Sequence, residues 1–371
     1  MDAGTIYQKS TRHFLGPIVP LLDDPSVSEV LINGPDTVYY EQKGRIHKSD
    51  VRFPNDAALM AAARNVADFV GRTIGGPDHS MDARLPDGSR VHVIVPPASR
   101  QGVCFSIRKF SKSSFNLDQL VSWGSLSDVA REFLALTVKL HKNTIIAGGT
   151  GTGKTSMLNA LSAEIPAAER IVVIEDSSEL QLHQPHTVYL EAQPAAADGT
   201  GRVTIRDLFV DSLRMRPDRI VVGEVRRGEA LDLIQSMISG HAGSLTTVHA
   251  TTPLDAAIRL ETLSLMSDVA LPVYVARAQV ASAIQLVIGI TRFGDGSRRV
   301  RVVSECLGLD GENNYRFRDL FRFQATGRDA DGRIEGTLRP TGETPTFAAE
   351  PYELGLAGEI RLTGDLFPAP A

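Results

Sequence analysis

The first 110 residues alternate short apolar runs with turn residues, which is typical of strands joined by tight connections. One stretch differs, because apolar residues recur at helical spacing over residues 55–70 until glycine and proline at 71–77 end the pattern. Pro86, Asp87 and Gly88 predict a hairpin turn. We predict an α+β domain over residues 1–110, with strands at 27–32, 37–42, 83–85, 90–95 and 103–108.

A polar, serine-rich stretch follows, and we predict a linker over residues 111–116. Beyond it, apolar strand-like runs alternate with helical periodicity, which predicts a mostly parallel sheet with helices on both faces. We assign residues 117–345 to this α/β domain. Its predicted strands are 144–147, 170–174, 219–222, 245–248, 285–291 and 299–305, and its predicted helices include 117–123, 128–140, 228–238 and 253–265.

The end of the chain has a different texture. Glycine, proline and arginine accumulate from about residue 326, and little apolar surface is available for burial. We expect residues 346–371 to form a flexible tail.

Composition excludes several classes of protein. The 371 residues are 42% hydrophobic and carry a formal net charge of −5, without a lysine and arginine run, so nucleic acid is not the expected partner. Cys104 and Cys306 are too far apart for a Cys-x-x-Cys zinc module and too few for a disulfide framework, which fits a reducing cytoplasmic compartment. No apolar run approaches the ~20 residues that span a bilayer, so direct membrane insertion is not expected.

A glycine-rich segment after the strand-like run at residues 144–147 carries the most specific chemistry. It matches G-x-x-x-x-G-K-[ST], the phosphate-binding loop, and a helix pattern from Lys154 follows it. Backbone N–H groups of such a loop face phosphates, the lysine reaches the β- and γ-phosphates, and the Thr155 hydroxyl suits Mg²⁺. We predict ATP and Mg²⁺ as ligands, bound by Gly148, Gly149, Thr150, Gly151, Thr152, Gly153, Lys154, Thr155 and Ser156.

Two apolar strands of the second domain end in carboxylates, at the edge where an open α/β sheet binds its ligand. Glu175 and Asp176 follow one strand, and we predict Glu175 as the general base that activates water; a helix cap or a salt bridge is the structural alternative. Glu224 follows the other strand, and we predict that it holds Mg²⁺ with Thr155, largely through water.

His241 and His249 flank a further strand-like run. They are eight positions apart without a nearby cysteine, which makes a zinc site improbable. We interpret them as sensors of the γ-phosphate, with core histidines as the alternative.

These four segments occur in the order and spacing of the Walker A, Asp box, Walker B and His box of the secretion superfamily ATPases, and the chain resembles that family. Residues 15–33, 84–95, 106–110, 319–323 and 339–342 are similar to the CpaF or TadA branch, which powers Tad (Flp) pili. The resemblance covers roughly residues 12–347. Many members of that branch have a longer N-terminal extension than the residues that precede this segment, and two cysteines do not form the tetracysteine zinc module of type II relatives.

The resemblance implies an N-terminal PAS-like domain linked to a C-terminal RecA-like domain. It implies a cytoplasmic homohexamer, peripheral to the inner membrane through a platform protein, that hydrolyses ATP to drive pilus assembly, retraction or secretion. It also implies that Arg84, Arg90 and Arg108 complete the site of a neighbouring subunit in trans, where such an arginine is worth ~10³ to 10⁵ in rate. Ordinary surface salt bridges are the alternative for these arginines.

The sequence is also compatible with two other functions. A hexameric motor on nucleic acid would share the ATP site, but it should show a basic channel and stacking aromatic residues. A nucleotide-gated scaffold with negligible turnover is the third possibility, and the intact Glu175, Glu224 and Thr155 weigh against it.

Overall fold

The computed structural model describes residues 3–42, 44–110, 115–193, 195 and 199–370, and only the backbone of residues 3–6 and 8. The chain divides into two compact units, residues 1–112 with 194–202, and residues 113–193 with 203–371. Four residues of the predicted linker, 111–114, lie outside the described residues. No helix in the described part of the chain combines the length and apolar character that crossing a membrane requires.

The first unit is one antiparallel sheet with helices. Its strand order is β3-β2-β1-β6-β5-β4, and β1 pairs with both β2 and β6. Helix α3 begins where the Asn55 side chain accepts the N–H of Ala58 at 2.9 Å, and its apolar face packs on the sheet. The elements are α1 Ala3–Phe14, α2 Val19–Asp23, β1 Val27–Asn33, β2 Val38–Gln42, β3 Arg45–Ser49, α3 Asp56–Phe69, β4 Ser80–Arg84, β5 Arg90–Ile94 and β6 Cys104–Arg108.

The second unit holds a nine-stranded sheet in the order β15-β14-β13-β12-β7-β11-β10-β8-β9. Strands β12, β7, β11, β10, β8 and β9 are parallel, and β13 to β15 continue the sheet antiparallel. Its strands are β7 Thr144–Gly148, β8 Ile171–Glu175, β9 Thr187–Glu191, β10 Arg219–Val222, β11 Leu245–Val248, β12 Leu286–Arg292, β13 Arg298–Leu309, β14 Tyr315–Arg328 and β15 Ile334–Pro340. Its helices are α4 Leu117–Ser122, α5 Asp128–Lys139, α6 Lys154–Ser162, α7 Ile205–Ser212, α8 Glu229–Ile238, α9 Pro253–Leu265, α10 Val273–Ala283 and α11 Glu350–Glu353.

The predicted fold class, an α+β unit followed by a parallel-sheet α/β unit, is confirmed. Two apolar clusters cover the two faces of the large sheet, because the strands in its centre are buried on both sides. This arrangement brings the carboxyl ends of β7, β8, β10 and β11 to one edge, where the candidate site lies.

The predicted flexible tail differs from the structure. Residues 346–370, here called the C-terminal strap, pack against α5 of the second unit. Phe367 is fully buried and stacks on Phe133 with ring centroids 5.6 Å apart. The buried Glu132 carboxylate accepts the N–H groups of Arg361 and Leu362, both at 2.8 Å, and of Thr363 at 3.0 Å. A few aromatic anchors and one carboxylate therefore hold a segment whose composition predicted disorder.

We expect Glu132→Ala to lower the free energy of unfolding by about 2–4 kcal/mol, because the substitution leaves buried N–H groups without an acceptor. Urea unfolding measures the change, and Glu335→Ala, at an exposed site on β15, is the matched control. Burial raises the pKa of Glu132, but hydrogen bonds from residues 361–363 outweigh burial and lower it overall. The stabilisation is thus present above the unfolded pKa of ~4.3 and is lost as pH falls through the folded value. An undiminished difference between wild type and variant at low pH would contradict this assignment.

Candidate active site

The glycine-rich loop connects β7 to α6. Gly151 and Gly153 have φ values of +69° and +97°, a left-handed conformation that other residues rarely adopt. A Cβ at Gly148 would lie 2.4 Å from Thr152 Oγ1 and 3.0 Å from the Ile290 carbonyl oxygen. Thr152 Oγ1 also donates to the Gly149 carbonyl at 2.9 Å and tightens the turn. The predicted loop therefore has the curled backbone that an anion-binding loop requires.

Lys154, Glu224 and His249 meet beside this loop. Lys154 Nζ donates to the Gly149 carbonyl at 3.1 Å and lies 3.9 Å from Glu224 Oε1. His249 Nε2 lies 2.8 Å from the same carboxylate oxygen, and its Nδ1 is 3.4 Å from Lys154 Nζ. Three strand ends, of β7, β10 and β11, place these side chains together because parallel strands share a carboxyl edge.

The charge state of His249 follows from these neighbours. Burial and the Lys154 ammonium lower the pKa of His249, and Glu224 opposes this shift only in part. At neutral pH the ring is therefore mainly neutral and can donate one N–H to Glu224 or to an incoming anion.

Arg226 joins the same cluster, and sequence reasoning did not single it out. Its Nε lies 2.5 Å from Glu224 Oε2, and its Nη1 lies 3.2 Å from Asp176 Oδ2. The guanidinium thus connects the two strand-end carboxylates. The sequence indicated Arg226 only by its position two residues after Glu224. A single sequence does not show that Asp176 lies close to Arg226 in the fold.

Glu175 has a different environment from Glu224. Its side chain is buried, and its Oε1 accepts the N–H groups of Glu179 at 2.8 Å and Leu180 at 3.1 Å. A Cβ at Gly223 would lie 3.0 Å from Glu175 Cγ, so the carboxylate packs directly beneath the residue before Glu224. In this structure the Glu175 carboxylate thus holds the segment after β8 through two backbone N–H groups.

The two histidines lie at opposite ends of β11. His249 follows the strand at the phosphate-loop edge, whereas His241 precedes it, and its backbone N–H donates to Ser236 at 3.1 Å. Four strand residues separate the two edges by ~13 Å. The structure therefore brings His249, but not His241, to the glycine-rich loop of the same chain.

Arg84, Arg90 and Arg108 form one row in the first unit. Arg84 pairs with Arg90 across β4 and β5, and Arg90 pairs with Arg108 across β5 and β6. Directly paired residues share a sheet face, so the three guanidinium groups lie in one row, which continues on β1 with Glu29 opposite Arg108. The three arginines are separated in sequence but are neighbours in the sheet.

The oxygen donors near the loop fit a magnesium ion. Thr155 lies in the first turn of α6 and is half-buried, and Glu224 keeps its carboxylate beside Lys154. Hydroxyl and carboxylate oxygens are the donors that Mg²⁺ prefers. Within the described residues no group of three or more His, Cys, Asp or Glu side chains is arranged to hold a metal.

The chain is similar to known proteins of secretion systems. A family model described as type II/IV secretion system protein matches residues 12–316. The type IV secretion system protein PtlH of Bordetella pertussis is 36% identical over 329 residues, covering 81% of this chain and 96% of PtlH. A putative conjugal transfer protein of Mycobacterium tuberculosis is 34% identical over 302 residues, covering 80% of this chain and 85% of its own length. The X-ray structure of the Legionella pneumophila ATPase DotB has the same fold, with a TM-score of 0.55 and 17% identity over 81% of this chain and 82% of DotB.

Proposed function

This chain belongs to the family of type II/IV secretion system proteins, and from this premise we propose that it hydrolyses ATP to power secretion or pilus assembly. The observation that carries the proposal is the meeting of Lys154, Glu224 and His249 beside a phosphate-binding loop. A cation, a carboxylate and a neutral imidazole at one loop suit transfer of a phosphoryl group to water.

The phosphates of ATP would replace the present partners of Lys154. Its ammonium group now contacts a loop carbonyl and Glu224, and the β- and γ-phosphates offer stronger, charged acceptors. Once Lys154 turns to the nucleotide, the carboxylate of Glu224 keeps Arg226 as a partner, and His249 is free to turn its single N–H from Glu224 to the nucleotide. We propose that Glu224, held in this way, orders the attacking water and takes its proton as general base, and that His249 donates to the γ-phosphate.

We propose that Thr155 and Glu224 hold Mg²⁺, Glu224 largely through water. A bound magnesium ion would neutralise charge on the phosphate oxygens. The phosphate-binding residues are those of the loop, Gly148 to Ser156, with their N–H groups directed at the β-phosphate.

We propose a positioning role for Glu175. Its carboxylate accepts two backbone N–H groups at Oε1 and is tied to the segment after β8. We propose that Glu175 fixes the segment after β8 and supports Gly223 beneath Glu224, and that Glu224 is the acid nearest the reaction.

We further propose a homohexamer of the CpaF or TadA type that works on an inner-membrane platform protein at the cytoplasmic face. The supporting observations are the branch-like segments of the sequence and the row of Arg84, Arg90 and Arg108, which has the charge needed to complete a neighbour's site. We also propose that the first domain ends at residue 110, that the linker ends at residue 116, and that this linker acts as a hinge.

Mixing two inactive variants tests the trans site. One variant carries Lys154→Ala and keeps the arginine row, and the other carries Arg84→Ala, Arg90→Ala and Arg108→Ala and keeps the loop. We expect steady-state ATP hydrolysis to reappear on mixing, because some interfaces then hold one intact loop and one intact row. Arg45→Ala, an exposed arginine on β3 of the same sheet, should be active alone. Mixtures that associate but stay inactive would contradict the trans assignment.

A further inference from the structure

We propose that Arg292 and Arg298 bind the polyphosphate of the nucleotide held by the phosphate loop of the same chain. This inference rests on the proposed function and adds two cations in cis to the site. Both residues lie outside the four sequence motifs, at the ends of neighbouring strands β12 and β13.

Strand pairing brings both arginines to the loop. Strand β12 runs parallel to β7 with Ile290 opposite Gly148, so Arg292 extends two residues along the beginning of the loop. A Cβ at Gly151 would lie 3.8 Å from Arg292 Nη1. A Cβ at Gly153 would lie 3.7 Å from Arg298 Cδ. The two side chains therefore lie over the two loop glycines that have left-handed backbones.

The charges of the pair suit an anion. Arg292 and Arg298 are directly opposite each other in the antiparallel ladder of β12 and β13, so their side chains share one face. A polyphosphate beside this face would meet two guanidinium groups, which bind phosphate oxygens through charge-assisted hydrogen bonds. Both side chains are exposed and therefore accessible to a ligand in the loop.

The turn that carries the pair is held in place. Phe293 donates its N–H to the Ser297 carbonyl at 2.8 Å, and Asp295 accepts the N–H groups of Ser297 and Ile334 at 2.9 and 2.7 Å. Ser125 Oγ donates to the Arg298 carbonyl at 2.7 Å. These hydrogen bonds fix the backbone of the hairpin at both ends. Less conformational entropy is therefore lost when an anion binds to the two arginines.

Competition binding on the full chain tests this inference. A fluorescent ATP analogue is bound first, and then ATP or inorganic tripolyphosphate displaces it. For the variant with Arg292→Ala and Arg298→Ala we expect affinity for both competitors to fall about 10-fold or more, as for lost charge-assisted hydrogen bonds. Arg316→Ala is the matched control, an exposed arginine at the start of β14 and at the opposite edge of the same sheet. Its affinities should equal those of wild type.

The outcomes separate this inference from the proposed function. If wild type binds the analogue, Lys154→Ala loses it and the double variant keeps wild-type affinity for tripolyphosphate, the arginine assignment is overturned. Loss of ATP affinity without loss of tripolyphosphate affinity would also overturn it, because the contact would then be to the base. If wild type itself does not bind, the proposed function fails. Should the double variant not fold, Arg292→Lys and Arg298→Lys keep the charge, and each should retain more affinity than the corresponding glutamine variant.

Discussion

Glu224→Gln is expected to lower the turnover number for ATP by ~10²- to 10⁴-fold, the range typical of removing a general base. Glutamine keeps the shape of the side chain but cannot take a proton from water. Glu224 lies 3.9 Å from Lys154 and contacts His249 and Arg226, so its charge acts where the phosphates are expected. ATP binding should persist, because the loop is unchanged. Phosphate release and binding of a fluorescent ATP analogue measure the two quantities.

Glu175→Gln is the matched comparison. Its amide oxygen can still accept the N–H groups of Glu179 and Leu180, so the cap should survive in weakened form. We expect a smaller loss of turnover than for Glu224→Gln, together with a measurable loss of thermal stability. A larger loss of turnover for Glu175→Gln, with unchanged stability, would reverse the two roles and restore Glu175 as the base.

Lys154→Ala is expected to abolish hydrolysis to within the background and to weaken ATP binding by ~10²-fold or more, since hydrogen bonds to charged groups are worth ~1.5–3 kcal/mol each. The side chain is buried and its ammonium group contacts the loop at the Gly149 carbonyl, where the phosphates are proposed to bind. Equilibrium binding and phosphate release measure both effects.

Lys48→Ala serves as the control for loss of one lysine, because Lys48 is exposed on β3 of the first unit. It should bind and hydrolyse ATP as wild type does. Retention of tight ATP binding by Lys154→Ala would mean that nucleotide binds elsewhere, and the loop would lose its assigned role.

Local patterns predicted the centre of the fold well. The strand, loop and helix from Thr144 to Ser162 depend on neighbours in sequence, and so do the apolar strands that end at Glu175 and Val222. Membership of the secretion ATPase superfamily, predicted from four motifs, is confirmed by the match to the type II/IV secretion family. The CpaF or TadA branch stays a prediction.

Features that depend on distant contacts were not predictable. The C-terminal strap is ordered by Glu132, more than 200 positions before it, and its own composition gives no sign of this contact. Strand β14 forms along the edge of β13, and β15 forms along the edge of β14, although their sequence is rich in polar residues. The composition of a segment indicates only how much apolar surface that segment could bury by itself. It does not show which distant residues or strands the segment will contact in the fold.

The site shows the same division. The strand, glycine-rich loop and helix at residues 144–162 depend on neighbours in sequence and were predicted from it. The opposite placement of His241 and His249 follows from the direction of β11, and the row of Arg84, Arg90 and Arg108 follows from the register of three strands. Register and strand direction are set by tertiary pairing, which a single sequence does not report.

Steady-state phosphate release by the full chain with Mg·ATP tests the central claim most directly, with Lys154→Ala as the blank. We expect many phosphates to be released per chain, at a specific rate that rises as subunits associate, and no release above background by the blank. Release of no more than one phosphate per chain from associated wild-type protein would contradict the claim that this chain is an ATP-driven motor.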